Sequence, residues 1–315
     1  MKILGTGSAL PEKVVTNDDL ASFLETDDEW ISTRTGIHER RVLSNETLQA
    51  LAERAGKRAM EDAGVSPEAI DFVLVSTVQA ETMSPALACD IQPALGLKCM
   101  GMDVNGGCTG FIAALAVAEG LIASGRAHKL LVISAEALSR FADWTDRGTC
   151  VLFGDAAGAA VVGEGEGVED LRFFSQPRRE VLCANTPPGN SPFLVDPAPA
   201  QFLKMQGQEV YKFAVSHSYR DIRDMLEAHC LGAEDVDFYV LHQANMRILE
   251  AVRTRLKVDA ERFPHNIERT GNTSSATIPV LLDELNRAGK LKPGCRVILS
   301  AFGAGLCTGT ALIRW

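Results

Sequence analysis

The hydrophobic positions along the chain alternate between short apolar runs and longer stretches with helical spacing. Residues 45–63 place leucine, alanine and methionine three or four positions apart, which predicts an amphipathic helix that ends at Gly64. Residues 72–78 and 130–134 are short apolar runs, and residues 150–162 read CVLFGDAAGAAVV, so all three are predicted to be buried strands. This alternation predicts an α/β fold whose buried sheets are mostly parallel and covered by helices.

The same order of elements occurs twice. GVSPEAIDFVLVSTV and FGDAAGAAVV in the first half correspond to LGAEDVDFYVLHQAN and FGAGLCTGTALI in the second. Asp71 precedes Cys108 by 37 residues, and Asp237 precedes Asn272 by 35. We therefore predict an internal duplication, with an N-terminal half of residues 1–165 and a C-terminal half of residues 166–315. The proline-rich residues 168–206 are predicted to form an irregular connector.

Cys108 lies in the stretch GMDVNGGCTGFIAALAVAEGLIASG, between a predicted strand and a predicted helix over residues 109–124. The free backbone N–H groups at the start of a helix favour a thiolate, and the two preceding glycines leave room for a substrate. These features are typical of a nucleophile. The alternative is a core thiol, because cysteine is commonly a small buried residue.

Two polar residues of the second half occupy comparable positions. His242 follows an apolar strand in VLHQAN, and Asn272, in RTGNTSSATIP, starts the counterpart of the Cys108 helix. If the halves pack about a pseudo-twofold axis, these side chains and Cys108 converge in one crevice at the strand ends. Taken singly, a structural histidine and a capping asparagine are the simpler interpretations.

Charge and composition exclude several classes of function. The formal net charge of −10 argues against a nucleic-acid surface. The eight cysteines occur singly, without the spacing of a metal site, and most are expected to be free core thiols. The longest apolar run, residues 110–123, is short and contains Glu119, which argues against a membrane span. The start MKILGTG lacks the features of a signal peptide, so we expect a cytoplasmic protein.

One basic cluster departs from the acidic average. Arg247, Arg253, Arg255 and Lys257 follow one another in a single predicted helix. The cluster is either an ordinary solvated face or a docking patch for an acidic partner.

Several motifs together resemble one known family. GTGSALPEKVVTNDDL, DEWISTRTGI, the Cys108 turn, TDRGTCVLFGDAAGAA, HQANMRI, RTGNTSSATIP and AFGAG occur in the order seen in β-ketoacyl-acyl-carrier-protein synthase III, the condensing enzyme that initiates bacterial type II fatty-acid synthesis. The resemblance spans nearly the whole chain and is weakest over residues 175–201. It implies a thiolase-like fold, an αβαβα five-layered sandwich of two duplicated halves, and a homodimer.

The resemblance also implies roles for individual residues. Cys108 is the expected nucleophile, with His242 and Asn272 completing a triad, and the backbone N–H groups of Cys108 and Ala304 are expected to form an oxyanion hole. Expected contacts to coenzyme A are Trp30 and Arg147 at the adenine, Arg34 near the phosphates, and Gly207, Lys212 and Asn245 along the pantetheine arm. Arg247, Arg253 and Arg255 are expected to dock the carrier protein.

Ser84 is a departure from the family pattern. It stands where many relatives place an aromatic residue that the partner subunit inserts into the acyl pocket. We therefore expect a primer that is longer or bulkier than acetyl.

The implied reaction is decarboxylative Claisen condensation of an acyl-CoA primer with malonyl-acyl carrier protein through an acyl-Cys108 intermediate. Coenzyme A enters as part of the substrate, and no cofactor is expected. One alternative is a related priming ketosynthase or acyltransferase of secondary metabolism that uses another acceptor. Two others are a Cys-His-Asn hydrolase and an inactive partner in a heterodimeric condensing enzyme.

Overall fold

The structure is a computed structural model that describes residues 1–78, 80–185 and 201–315. Its strands are β1 (Lys2–Ala9), β2 (Val14–Thr16), β3 (Glu39–Arg41), β4 (Phe72–Ser76), β5 (Met100–Val104), β6 (Lys129–Ala137), β7 (Asp155–Gly163), β8 (Val168–Ser175), β9 (Leu182–Asn185), β10 (Gln201–Met205), β11 (Phe238–Leu241), β12 (Arg296–Gly303) and β13 (Cys307–Arg314). Its α-helices are α1 (Asn17–Ala21), α2 (Asp28–Thr35), α3 (Leu48–Ala63), α4 (Leu87–Asp90), α5 (Gln92–Leu95), α6 (Gly110–Ala123), α7 (Gly207–Ala228), α8 (Met246–Leu256), α9 (Ile267–Thr270) and α10 (Thr277–Arg287).

Two central sheets repeat one strand order. The first runs β1-β7-β6-β4-β5, and the second, taken from its other edge, runs β8-β13-β12-β11. The positions of β1, β7, β6 and β4 in the first sheet are taken in the second by β8, β13, β12 and β11. Among the described residues the second sheet has four strands, and Asn272 makes an isolated parallel bridge with Phe153 outside the named strands. The repeated strand order therefore corresponds to the repeat seen in the sequence. The boundary between the two halves at residue 165 stays a prediction.

The predicted strand directions are wrong in part. β5, β4 and β6 are parallel neighbours, as are β11 and β12, whereas β1, β7 and β6 pair antiparallel and so do β12, β13 and β8. An apolar strand indicates burial on both faces, but the connection decides the direction. Residues 304–306 alone join β12 to β13, and such a short turn permits only antiparallel pairing.

Helices and sheets alternate in five layers. On the outside, α3 packs on the first sheet through side chains such as Leu51 and Ala55. The helices α6 and α10 form the middle layer, where Phe111 and Leu115 of α6 share one core with residues of both sheets. On the far side, α7 and α8 cover the second sheet. None of the helices in the described part of the chain combines the length and the apolar character that a membrane span requires.

Several boundaries differ from the predicted ones, and at α3 a capping side chain sets the start. The Thr47 hydroxyl accepts from the Ala50 N–H, so α3 begins at Leu48 rather than at residue 45, and it ends as expected at the left-handed Gly64. The segment over residues 86–95 forms the two short helices α4 and α5, and the strand predicted from residue 150 begins at Asp155.

Candidate active site

Cys108 lies in a 3₁₀ turn, Gly107–Thr109, between β5 and α6. Its side chain lines a cavity of about 1140 Å³. Gly303, at the end of β12, packs its backbone against this turn. A Cβ at position 303 would lie 3.0 Å from both Cβ and N of Cys108. The C-terminal sheet therefore reaches the predicted nucleophile directly, and a side chain at position 303 would crowd it.

A second 3₁₀ turn, Ser274–Ala276, precedes α10 and packs against the first. Ser274 contacts three of the predicted site residues. Its hydroxyl lies 3.5 Å from Sγ of Cys108, its N–H donates to Oδ1 of Asn272 at 2.9 Å, and its backbone lies beside the ring of His242, whose pKa it raises. Ser274 itself has a left-handed backbone, with φ of 52°. The structure thus places Cys108, His242 and Asn272 on the wall of one cavity.

The side-chain amide of Asn272 has a defined orientation. Its Oδ1 accepts the Ser274 N–H, and its backbone bonds Leu152 and Gly154, with the Asn272 N–H donating at 2.8 Å and its carbonyl accepting at 3.0 Å. Because Oδ1 is engaged as an acceptor, the Nδ2 hydrogens are the groups that Asn272 can offer to a ligand.

His242 follows β11 and is a buried, neutral imidazole. Its backbone N–H donates to the Ser300 carbonyl at 2.8 Å, and its ring meets Phe302 edge-on with 5.1 Å between centroids. Burial lowers the pKa of His242 to about 3, against the opposing effect of the Ser274 backbone. The ring can therefore donate a hydrogen bond without carrying charge at neutral pH.

The surroundings of Cys108 oppose the expected preference for a thiolate at the helix start. Burial raises the pKa of the Cys108 thiol to about 12, and the nearby Glu136 and Cys307 add to the rise, while the Ser274 hydroxyl opposes it. Cys108 lies in the turn before α6, enclosed by groups from both halves. Desolvation in this enclosure outweighs the helix end, so the resting group is a thiol.

Glu136 is a site residue that the sequence analysis did not identify. It lies in β6 with 1% of its surface exposed. Its Oε1 accepts from the hydroxyls of Ser275 at 2.6 Å and Ser274 at 3.1 Å, and its Oε2 accepts from the Val78 N–H at 3.0 Å. Burial raises the pKa of Glu136 to about 7. One acidic residue within the apolar strand LLVISAEA was the available signal.

Cationic side chains lie along the cavity wall around Trp30. The guanidinium carbons of Arg34 and Arg147 lie 4.6 and 4.9 Å from the centroid of the Trp30 ring. Arg147 also donates to the Glu25 carbonyl. Other cavity-lining cations are Arg179, Lys212 and Arg247.

Gly207, Lys212 and Asn245 also line the cavity. Gly207 starts α7, and Lys212, one turn later, pairs with Glu209 at 3.0 Å. Asn245 caps α8: its Oδ1 accepts from the Arg247 N–H at 2.9 Å, and its Nδ2 donates to a carbonyl of α2 at 3.1 Å.

The basic cluster is narrower than the sequence suggests. Arg247 lines the cavity and donates to the Thr33 carbonyl at 2.8 Å. Arg253 pairs with Glu250 at 2.7 Å, so much of its charge is neutralised within the helix, whereas Arg255 is exposed. Lys257 is the left-handed cap of α8 rather than part of it.

Ala304 and Ser84 have contrasting positions. Ala304 lines the cavity, and its φ is not positive, so an alanine fits its backbone. Ser84 is exposed in the loop that carries Met83 and is not among the residues that line the cavity of its own chain. The predicted insertion of this position into a partner's acyl pocket stays a prediction.

Comparison with known proteins identifies the family. Two family models match the chain: 3-oxoacyl-acyl-carrier-protein synthase III over residues 102–176, and the C-terminal part of the same synthase over residues 226–315. The β-ketoacyl-acyl-carrier-protein synthase III of Oceanobacillus iheyensis is 44% identical over 316 residues, which cover 99% of this chain and 98% of that protein. The chain belongs to the synthase III family.

Solved structures agree. The β-ketoacyl-acyl-carrier-protein synthase III of Thermus thermophilus superposes with a TM-score of 0.93 at 40% identity, covering 100% of this chain and 99% of that one. The priming β-ketosynthase of the R1128 polyketide pathway gives a TM-score of 0.91 at 34% identity, over 99% and 95% of the two chains. These matches confirm the predicted thiolase-like sandwich.

Proposed function

We propose that this chain condenses an acyl-CoA primer with malonyl-acyl carrier protein to give a β-ketoacyl-acyl carrier protein, as a β-ketoacyl-acyl-carrier-protein synthase III. The observation that carries the proposal is the contact of Ser274 with Cys108, His242 and Asn272 at one cavity. A thiol and two neutral hydrogen-bond donors are the groups that the two half-reactions require.

In the first half-reaction, Cys108 accepts the acyl group. Its sulfur attacks the thioester carbon of acyl-CoA, the new S–C bond forms, and the coenzyme A sulfur leaves and takes up a proton. Exchange of one thioester for another keeps the acyl group activated. The backbone N–H groups of Cys108 and Ala304, which adjoin at the cavity wall, are the proposed donors to the tetrahedral oxyanion.

In the second half-reaction, the malonyl thioester loses CO₂ and becomes an enolate. His242 and Asn272 are the proposed donors to its oxygen, and one such donor contributes about 3–4 kcal/mol in comparable sites. The low pKa of His242 supports this role, because a neutral ring donates without giving up its proton. The enolate carbon then attacks the acyl group, and the Cys108 sulfur leaves.

Coenzyme A is proposed to lie along the cationic wall as part of the substrate, and the chemistry requires no separate cofactor. Trp30 and Arg147 would hold the adenine, Arg34 the phosphates, and Gly207, Lys212 and Asn245 the pantetheine arm. A base stacked between Trp30 and Arg147 needs two contact distances of ~3.5 Å, about 7 Å in total. Arg147 now lies 4.9 Å from the Trp30 ring, so it must withdraw when the base enters.

The carrier protein is proposed to dock on Arg247, Arg253 and Arg255 beside the cavity mouth. The exposed Arg255 is expected to contribute most to the attraction, because Arg253 is already paired with Glu250.

A homodimer is also proposed. The edge strand β5 of the first sheet carries Met100 with 64% of its surface exposed, and such an edge can pair with a second copy. Ser84 of the partner would then reach the acyl pocket, where its small side chain leaves room for a primer larger than acetyl. Light scattering of the purified protein measures the oligomeric state.

The eight cysteines are all free, which supports the proposed cytoplasmic location, because disulfides are rare in reducing compartments. The proposed division into residues 1–165 and 166–315 is supported by the two sheets, whose strands fall within residues 2–163 and 168–314.

A second candidate is a priming ketosynthase of secondary metabolism. The 34% identity to the R1128 priming β-ketosynthase favours it, and so does the small residue at position 84. Reaction of the acylated protein with malonyl carriers from fatty-acid and polyketide systems would separate the two functions by the preferred acceptor.

Mass spectrometry of the intact protein tests the proposal. We expect incubation with acyl-CoAs from acetyl to decanoyl to add one acyl mass to the wild type and none to Cys108→Ala. Malonyl-carrier protein should then remove that mass and release CO₂. Transfer of the acyl group without release of CO₂ would indicate another acyltransferase. Release of free acid alone would indicate a hydrolase, and the absence of any added acyl mass would indicate an inactive partner.

A further inference from the structure

Glu136 is a buried carboxyl group that the proposed half-reactions do not use. Its neighbours in β6, Ala135 and Ala137, are buried and apolar. Burying a carboxyl group is costly unless hydrogen bonds compensate, and here three donors from two other segments converge on it. Two of those donors belong to the 274–276 turn of the opposite half. The carboxylate is therefore built into the contact between the two halves.

The Ser274 hydroxyl lies between Glu136 and the predicted nucleophile. Its oxygen is 3.1 Å from Oε1 of Glu136 and 3.5 Å from Sγ of Cys108. A hydroxyl has one hydrogen to donate and lone pairs to accept with, so it can accept a proton from one neighbour while donating to the other. The left-handed backbone of Ser274 and the bond from its N–H to Asn272 hold the hydroxyl in place.

We propose that Cys108, Ser274 and Glu136 form a proton relay in which Ser274 carries the thiol proton of Cys108 to Glu136 during acylation. The proposal extends the proposed function, since it assigns a base to its first half-reaction.

Protons balance along this path. The Cys108 thiol proton passes to Oγ of Ser274 while the Ser274 hydroxyl proton passes to Oε1 of Glu136. The thiolate then attacks the acyl carbon. In the tetrahedral adduct both sulfurs are bonded to that carbon, so Glu136 returns its proton to Ser274 while the Ser274 hydroxyl donates its own proton to the coenzyme A sulfur as that sulfur leaves. After condensation, the Cys108 thiolate is protonated again along the same path, with the net proton supplied by solvent.

The titratable groups around Cys108 favour Glu136 as the acceptor. The pKa of His242 is lowered to about 3, so its ring is a weak base, and Cys307 is another thiol whose pKa is raised by burial. Glu136, with its pKa raised to about 7, accepts a proton more readily than an exposed carboxylate does. No other titratable group among the described residues lies within hydrogen-bonding reach of Ser274.

Alkylation of Cys108 by iodoacetamide tests the relay without acyl-CoA. The rate is measured from about pH 5 to pH 10 by mass spectrometry of the Cys108 peptide. Above the pKa of Glu136 its carboxylate can accept the thiol proton of Cys108. Below that pKa the carboxyl group is already protonated and cannot. We therefore expect the wild-type rate to rise through an inflection near pH 7.

Variants separate the relay from a structural role. Glu136→Gln and Ser274→Ala should lose the inflection and react at least about tenfold more slowly near pH 7.5. Ser275→Ala is the matched control: it removes a donor to Glu136 but leaves the path intact, so the inflection should move to higher pH. Thermal unfolding shows which variants are folded, and Ser274→Ala keeps the test decisive if Glu136→Gln does not fold.

Identical pH profiles for the wild type and either Glu136→Gln or Ser274→Ala would overturn the relay. The acylation experiment is independent of this result. A lost inflection supports the relay even if no acyl-CoA modifies Cys108, whereas unchanged profiles with normal acylation refute the relay and leave the proposed function standing.

Discussion

Replacing Asn272 by aspartate or by alanine separates two tasks that the structure gives to this side chain. Oδ1 accepts the Ser274 N–H at 2.9 Å, and Nδ2 is the group available to the enolate. Asn272→Asp keeps the acceptor and exchanges the donor for a second oxygen. Asn272→Ala removes both. The pair therefore distinguishes support of the Ser274 turn from donation to the reacting oxygen.

The expected losses differ in size and in kind. Without the Nδ2 donor, condensation should slow by about 10²–10³, which corresponds to ~3–4 kcal/mol. An ionised carboxylate at this position would also repel the enolate. Alanine should in addition lower the free energy of unfolding by about 1–3 kcal/mol, because the Ser274 N–H loses its buried acceptor. Acylation should change less in both variants, since no donor from Asn272 is needed there.

The pH dependence gives the aspartate variant a signature of its own. Position 272 is only 7% exposed, so burial should raise the pKa of the new carboxyl. Below that pKa the neutral acid again offers an O–H donor, and above it the anion repels the enolate. Condensation by Asn272→Asp, relative to wild type, should therefore recover as the pH falls, while the ratio for Asn272→Ala should not.

The assay follows CO₂ release from malonyl-carrier protein and, separately, acyl mass on Cys108, at several pH values. Comparison with the wild type at each pH removes effects of other titrating groups. Equal losses in both half-reactions, or a pH-independent ratio for Asn272→Asp, would refute the donor role of Asn272.

Three further substitutions test other parts of the site. Gly303→Ala would place a Cβ 3.0 Å from Cys108, and we expect acylation to slow by about 10²-fold. An unchanged acylation rate would contradict the close approach of the Gly303 backbone to Cys108. Trp30→Ala should raise KM for acyl-CoA about tenfold with kcat little changed, because stacking on a base contributes roughly 1–3 kcal/mol. An unchanged KM would refute the proposed contact between Trp30 and the adenine. Arg255→Glu should raise KM for malonyl-carrier protein, more at low than at high salt, and leave KM for acyl-CoA unchanged. An increase in KM that does not depend on salt would argue against electrostatic docking.

The repeat was visible in the sequence because buried strands and the turns after them keep their spacing in both halves. Cys108 and Asn272 follow equivalent apolar strands at similar distances, so their convergence could be predicted from local pattern and the packing of α/β sheets. Cap positions were harder to predict from the sequence. Thr47 caps α3 through its hydroxyl, so the helix begins at Leu48 rather than at residue 45, and helix propensity alone does not single out this cap.

Strand direction and the effects of enclosure by both halves could not be predicted. The direction of β13 follows from its short connection to β12, which apolar patterning does not report. The pKa of Cys108 follows from groups that lie far from it in sequence, above all the walls that exclude water. Glu136 is 28 residues from Cys108 in the chain, and only the contact through Ser274 makes it part of the site.

The two 3₁₀ turns explain why the site needs both halves of the duplication. Each turn precedes a middle-layer helix, and the duplication places them face to face, so one carries Cys108 while the other carries Ser274. The first turn supplies a thiol that desolvation holds protonated. The second supplies a hydroxyl to that thiol and an N–H that orients Asn272. A half that folded alone would present a nucleophile without its orienting donors, or donors without a nucleophile, so the chemistry arises only where the two turns meet.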